Sequence, residues 1–225
     1  MNILLVAATP AEIAPLADLL QQQWHQQPDG WLSNGTHHLQ ILISGVGLLP
    51  TTYHLTKKLV NHSFDLVLQA GIAGSYDRSL ELASLAFIST ETLGDTGAED
   101  QYNFLDIFDL GLTPPDEAPF RSKTLPNPHG PSSLGISLPQ VSALTVNMTA
   151  GTSFQAERRW RKYGCQLESM EGAALHYVCL LQNIPFAQVR SISNYVEARD
   201  RSRWKIPEAI SSLNNWLSSY LLHIN

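Results

Sequence analysis

Along the chain, apolar runs of strand length alternate with segments whose apolar residues recur every three or four positions. Residues 2–7 read as a first strand. Residues 12–22 follow with Ile13, Leu16, Leu19 and Leu20 on one face, the period of a helix. A second strand over 39–44 ends at Gly45-Val46-Gly47, and Pro50 suits the first turn of a helix reaching about Val60. Residues 66–70 read as a buried strand closed by Gly71-Ile72-Ala73-Gly74, and further strands are expected over 85–92, 143–149 and 186–193. Helices are expected over 154–162 and 172–182, and from about Pro207, where Ile210, Leu213, Leu217 and Tyr220 share a face. Residues 94–139 break the rhythm with seven prolines, which reads as a long functional loop.

Strands alternating with helices imply an α/β fold: one three-layer αβα domain over 1–225, its mixed, mostly parallel central sheet covered on both faces. Ligands in such sheets bind beyond the carboxyl ends of the strands, so polar residues at those ends become the candidates.

Composition narrows the classes. With 44% hydrophobic residues, 15% charged residues and a net charge of −6, nothing calls for nucleic acid or an anionic membrane as partner. The N-terminal run is short and lacks a basic flank, which reads as a strand rather than a signal peptide. No stretch approaches the roughly 20 apolar residues of a membrane span. Two cysteines, Cys165 and Cys179, match neither a metal knuckle nor a redox pair, so a reducing, cytoplasmic setting is expected. His37, His38, His54, His62 and His176 show no ligand spacing, and neither metal nor cofactor is expected.

Four groups at strand ends or helix starts stand out: Glu12, the 71–74 segment, Glu168-Ser169-Met170-Glu171-Gly172, and Arg190-Ser191-Ile192-Ser193-Asn194. Each has a plain reading. Glu12 suits a helix N-terminus, the glycines a tight turn, Glu171 a cap, and Asn194 a strand end. Together, in this order, they resemble the purine nucleoside phosphorylase and methylthioadenosine nucleosidase family. Ile43-Ser44-Gly45-Val46-Gly47 is similar to its S-G-[IV]-G turn, and Gln69-Ala70-Gly71-Ile72-Ala73-Gly74 to T-G-[ST]-A-G. Gly151-Thr152-Ser153-Phe154 is similar to G-D-[SA]-F, Ser169-Met170-Glu171-Gly172-Ala173-Ala174 to M-E-[GA]-A, and residues 190–194 to R-[AS]-I-S-D.

The resemblance implies a nucleoside phosphorylase-like fold, a small-molecule nucleoside substrate and a homodimer. It implies that Glu12 activates water, with Arg190 placing that water. Glu171 would hold the ribose hydroxyls, Met170 pack on the sugar, Phe154 stack on the purine, and Ala73 and Gly74 line the site. The family's phosphorylases carry phosphate-cradling arginines near the N-terminus, whereas residues 1–20 hold no Arg or Lys. An acid there repels phosphate, so hydrolysis is expected. Two residues depart from the pattern. Ile72 replaces a hydroxyl residue, and Asn194 replaces the purine-binding Asp, which in the family goes with a 6-oxopurine such as hypoxanthine. Residues 93–111 and 193–207 further resemble the insert and lid of members whose substrate carries a 5′ keto-linked benzoate. Arg199, Arg201 and Arg203 are its candidate carboxylate partners, beside Trp204. A 6-oxopurine nucleoside phosphorylase, a methylthioadenosine-type nucleosidase and a non-catalytic nucleoside-binding protein are the alternatives.

Overall fold

The computed structural model describes residues 1–101 and 103–224, with the backbone alone of His223; Tyr102, inside the expected 94–139 loop, lies outside the described residues. Twelve strands occur among the described residues: β1 (Asn2–Ala7), β2 (His25–Gln26), β3 (Leu32–Ser33), β4 (His38–Ile43), β5 (Leu66–Ser75), β6 (Leu85–Leu93), β7 (Gly97–Asp100), β8 (Asn103–Asp106), β9 (Leu125–Pro126), β10 (Gln140–Thr145), β11 (Leu167–Ser169) and β12 (Phe186–Tyr195). Five α-helices accompany them: α1 (Pro10–Gln23), α2 (Leu48–Asn61), α3 (Ser153–Tyr163), α4 (Gly172–Gln182) and α5 (Ile206–His223).

The main sheet runs β11-β10-β6-β12-β5-β1-β4-β3-β2, with β9 added beside β6. The ladders β1–β4, β1–β5, β5–β12, β6–β10 and β10–β11 are parallel. β12–β6, the short outer strands and a closing β11–β5 pairing are antiparallel, so the sheet is mixed and curls shut at one end. Alternation along β1 explains the layers. Ile3, Leu5 and Ala7 face a core shared with Ile13, Leu16 and Leu20 of α1 and Leu213 and Leu217 of α5. Leu4 and Val6 face one shared with Leu55 and Leu59 of α2 and Leu175 and Val178 of α4. A strand covered on both sides is apolar at every position, as its sequence is.

Three expectations need correction. The strand at Leu66 continues through Gly71–Gly74 to Ser75, because β12 pairs with it along that whole length. The strand placed at 143–149 lies at Gln140–Thr145. The 94–139 region holds the β7–β8 hairpin, β9 and a 3₁₀ turn over Pro131–Leu134. Its prolines hid elements too short to show a period. No described helix is long and apolar enough to cross a membrane.

One buried contact fixes the turn that carries Glu12. Pro15 lies inside α1 and has no N–H to give the helix ladder. Asn214 of α5 enters at that point. Its Oδ1 accepts from the Leu16 amide at 3.0 Å, and its Nδ2 donates to the Glu12 carbonyl at 2.8 Å. Asn214→Leu keeps the size of the side chain but strands both buried groups, at about 1–3 kcal/mol each. The expected outcome is a urea midpoint shift equal to about 2–4 kcal/mol; a loss below about 0.5 kcal/mol would remove Asn214 as the clamp.

Candidate active site

The carboxyl ends of β1, β5 and β12 converge on one place. In the β5–β12 register Arg190 stands opposite Gly71. A Cβ on Gly71 would lie 2.3 Å from Arg190 Nη1 and 2.7 Å from Glu12 Oε1, so the bare glycine is what lets both side chains pass over β5. Its φ is not in the left-handed range, and the requirement is purely one of space.

Glu12 serves two purposes. Its Oε2 accepts from the Thr9 amide at 3.0 Å, completing a capping box at the start of α1, while Oε1 accepts from the Ile72 amide at 3.2 Å. The plain reading as a helix-end acid and the catalytic one therefore describe the same carboxylate, whose remaining lone pairs are free to accept from a water. Arg190 is 1% exposed. Its Nη2 donates to Gln69 Oε1 at 3.0 Å and lies 3.5 Å from Glu171 Oε2. Glu171 is the N-cap residue of α4, and its Oε1 accepts from the Gly47 amide at 3.0 Å. Burial raises the pKa of Glu171, an effect the Arg190 charge and the Gly47 amide oppose and the Glu12 charge adds to.

Above these groups lies a cavity of about 410 Å³. Its wall includes Glu12, Val46, Ala73, Gly74, Met170 and Glu171, with Asn194 at the end of β12. Asn194 Oδ1 accepts from Ser193 Oγ at 2.8 Å and its Nδ2 donates to the Tyr195 carbonyl at 3.0 Å. Arg199 and Trp204 complete one side, the guanidinium carbon 4.9 Å from the indole centroid. A larger cavity of about 560 Å³ lies at the opposite, amino-terminal end of the strands beside Met1, Asp65 and Tyr220, and none of Glu12, Glu171, Arg190 and Asn194 lines it.

Phe154 is placed apart from the pocket wall. It is 65% exposed on the first turn of α3, with the Arg158 guanidinium 5.9 Å from its ring. Arg201 also stays off the wall, 5.9 Å behind Trp204, and Arg203 pairs with Glu197 at 2.7 Å. No described residue of 94–139 lines the cavity, contrary to expectation. The β7–β8 hairpin turns to α3 instead, where Glu99 pairs with Arg158, and Phe104 and Asp109 accept from Lys162.

Sequence reasoning gave no role to Glu168 or Glu91. Glu168 lines the cavity, where its carboxylate accepts from Arg159 at 2.9 Å, from the Ala150 amide at 3.1 Å and from the Tyr76 hydroxyl. Glu91, on β6, is fully buried. The available signal was an acid inside a run otherwise fit for burial, which is rare unless paired.

A sheet of this topology with an acid, a buried arginine and a second acid at its strand ends is of the nucleoside phosphorylase-like α/β class. The chain belongs to the phosphorylase superfamily, which it matches over residues 2–221. It is 30% identical over 197 residues to futalosine hydrolase of Streptomyces coelicolor, covering 85% of this chain and 78% of that relative. It is 28% identical over 173 residues to futalosine hydrolase of Thermus thermophilus, 76% of each chain. Among solved structures, a futalosine hydrolase mutant of Helicobacter pylori is similar with a TM-score of 0.81 at 18% identity over 100% of both chains. The 5′-methylthioadenosine/S-adenosylhomocysteine nucleosidase of that organism, with butyl-thio-DADMe-Immucillin-A, reaches 0.80 at 17% identity over 100% of this chain and 99% of that one. At such identities the likeness is one of fold.

Gly71→Ala tests the crossing over β5. The added methyl must displace the Arg190 guanidinium and the Glu12 carboxylate together, so base release should fall at least about 100-fold, as for loss of a general base. Binding of product purine should change far less, since that end of the cavity is untouched. Turnover within a few-fold of wild type would mean that the two side chains tolerate displacement.

Proposed function

We propose that this chain hydrolyses the N-glycosidic bond of futalosine, releasing hypoxanthine and dehypoxanthine futalosine. The observation that carries the reading is the gathering of Glu12, Arg190 and Glu171 over Gly71, under a cavity whose lining contains one basic residue, Arg199, and four carboxylates, Glu12, Glu168, Glu171 and Glu197. Phosphate is repelled from such a wall, whereas a neutral water is not. The sequence match to two futalosine hydrolases agrees with it, and a place in menaquinone biosynthesis goes with the reading.

In the reaction the water oxygen bonds to C1′ while the C1′–N9 bond breaks, through a sugar with oxocarbenium character. Glu12 takes the water's proton, a contribution typically worth about 10²–10⁴-fold. Arg190 places that water beside Glu12. Glu171 accepts hydrogen bonds from the ribose hydroxyls, and Met170 packs on the sugar. Ala73 and Gly74 form the floor. The electron pair of the broken bond leaves with the purine. Asn194 donates from its amide toward N7 and O6 of a 6-oxopurine, which a carboxylate in that place would repel.

The 5′ carboxylate falls to Arg199. It lines the cavity and stacks on Trp204, and it has no acidic partner among the described residues, whereas Arg203 and Arg78 are both tied to Glu197. Val46, Leu49 and Tyr53 stand 51%, 83% and 60% exposed at and beyond the pocket mouth, and a second copy of the chain is the proposed cover, giving a homodimer. The two free, buried cysteines suit a cytoplasmic setting.

The deciding experiment incubates the protein with futalosine, inosine and methylthioadenosine with and without phosphate and follows free base. Hypoxanthine from futalosine without phosphate is expected; release that depends on phosphate would make the protein a phosphorylase. Asn194→Asp should lower hydrolysis of futalosine by about 5- to 150-fold, the cost of about 1–3 kcal/mol for an unmet polar contact, while relatively favouring the 6-amino analogue. An unchanged ratio of the two substrates would take Asn194 out of base reading. Arg199→Ala should raise KM for futalosine about 10-fold, but little for its methyl ester, as expected for loss of a charge-assisted hydrogen bond. Arg203→Ala should leave that comparison unchanged. The reverse pattern would move the carboxylate to Arg203.

A further inference from the structure

Behind the catalytic groups lies an acid that the reaction as described does not use. Glu91 of β6 has no exposed surface and yet is a carboxylate. Its Oε2 accepts from Thr145 Oγ1 at 2.7 Å, and its Oε1 from Gln188 Nε2 at 2.8 Å. The Thr145 hydroxyl in turn accepts from the Ala173 amide at 2.8 Å. That amide is one of the first-turn donors of α4 that no helical carbonyl can satisfy. The residue capping α4 is Glu171. The contact between the acid and the helix start is close: a Cβ on Gly172 would fall 1.7 Å from Glu91 Oε1. The peptide that follows Glu171 therefore rests on the Glu91 carboxylate.

We propose that Glu91 is a positioning residue of the active site, holding the Glu171 end of α4 through Thr145 and setting a buried negative charge behind Arg190. The inference rests on the nucleosidase reading of the same site. Mere structural burial would be better served by an apolar residue, since a buried acid costs stability unless fully satisfied. An added negative charge near the sugar, by contrast, favours the positive charge that develops there as the glycosidic bond breaks.

The charges around Glu91 define when it acts. Arg190 and Gln188 face it from β12, Thr145 from β10, Glu171 from the start of α4 and Cys165 from the loop before β11, while His176 of α4 lies against Gln188. His176 is fully buried and lowered by burial to about 4, and burial raises the Cys165 thiol to about 11, so both are neutral between pH 5 and 9. For Glu91 itself, burial raises the pKa to about 7 and the Glu171 charge adds to this. Thr145, Gln188 and Arg190 pull the other way. Glu91 is thus protonated below neutral pH and ionised above it, and a glutamine there is a permanent copy of the protonated form.

The experiment compares pH profiles of kcat/KM on futalosine for wild type and Glu91→Gln, with the melting temperature alongside. Below about pH 6 the two should agree within about two-fold. At pH 8 the variant should be slower by about 10-fold, the order expected for one charge acting through protein, and the wild-type inflection near pH 7 should be missing from it. A deficit of equal size at both pH values, or no deficit, would overturn the inference while leaving the hydrolase reading intact. A wild-type protein inert on every nucleoside would overturn both. Should Glu91→Gln fail to fold, Thr145→Val and Thr145→Ser decide the matter. The valine breaks the chain to Ala173 and should lower kcat/KM about 10-fold, and the serine, which keeps the hydroxyl, should restore it. Equal activity in the two would count against the proposal.

Discussion

The arrangement depends on burying one guanidinium. Arg190 has almost no contact with solvent and sits near the middle of the sheet's carboxyl edge. Left uncompensated, such a charge would cost several kcal/mol. Much of the surrounding chemistry reads as compensation: Gln69 accepts from it, Glu171 lies alongside, and Glu12 and Glu91 lie within reach of its field. Even the backbone answers to it, since Gly71 must lack a side chain for the guanidinium to pass. The carboxylates proposed for catalysis are thus also the groups that make the fold tolerable around this arginine. Activity and stability are coupled at one point.

How much of this the sequence displayed follows from what each feature requires. Long strands and helices were legible because burial imposes an apolar run or a helical period over six or more residues, as in β1, α4 and α5. The β2–β3 hairpin, β9 and β11 were not, being two or three residues long and so too short to show a pattern. Glu12, Glu171 and Asn194 could be singled out because each sits at or beside a strand end, and Arg190, inside β12, because its segment resembles a family motif. Glu91 sits within a strand and Asn214 within a helix, and both act through partners far away in sequence, which no local pattern reveals. Phe154 shows the converse: its tetrapeptide fits a motif, but in the isolated chain the first turn of α3 points its ring outward.

On the proposed reading, the acidic pocket wall is what separates hydrolysis from phosphorolysis on one framework. Both reactions pass through the same cationic sugar, so the groups that stabilise it need not differ. What differs is the charge presented to the incoming nucleophile. Here the cavity wall is acidic, and Arg199, the cation that lines it among the described residues, stacks on Trp204.

The clamp at Pro15 has a bearing on how the molecule comes into being. The turn that carries Glu12 is completed by an amide side chain 202 residues further along. The proposed general base is therefore made well before the residue that clamps its turn. Until α5 has docked, Glu12 belongs to a helix with an unfilled gap in its ladder. Docking of α5 thus completes both the α1 ladder and the seat of the proposed general base.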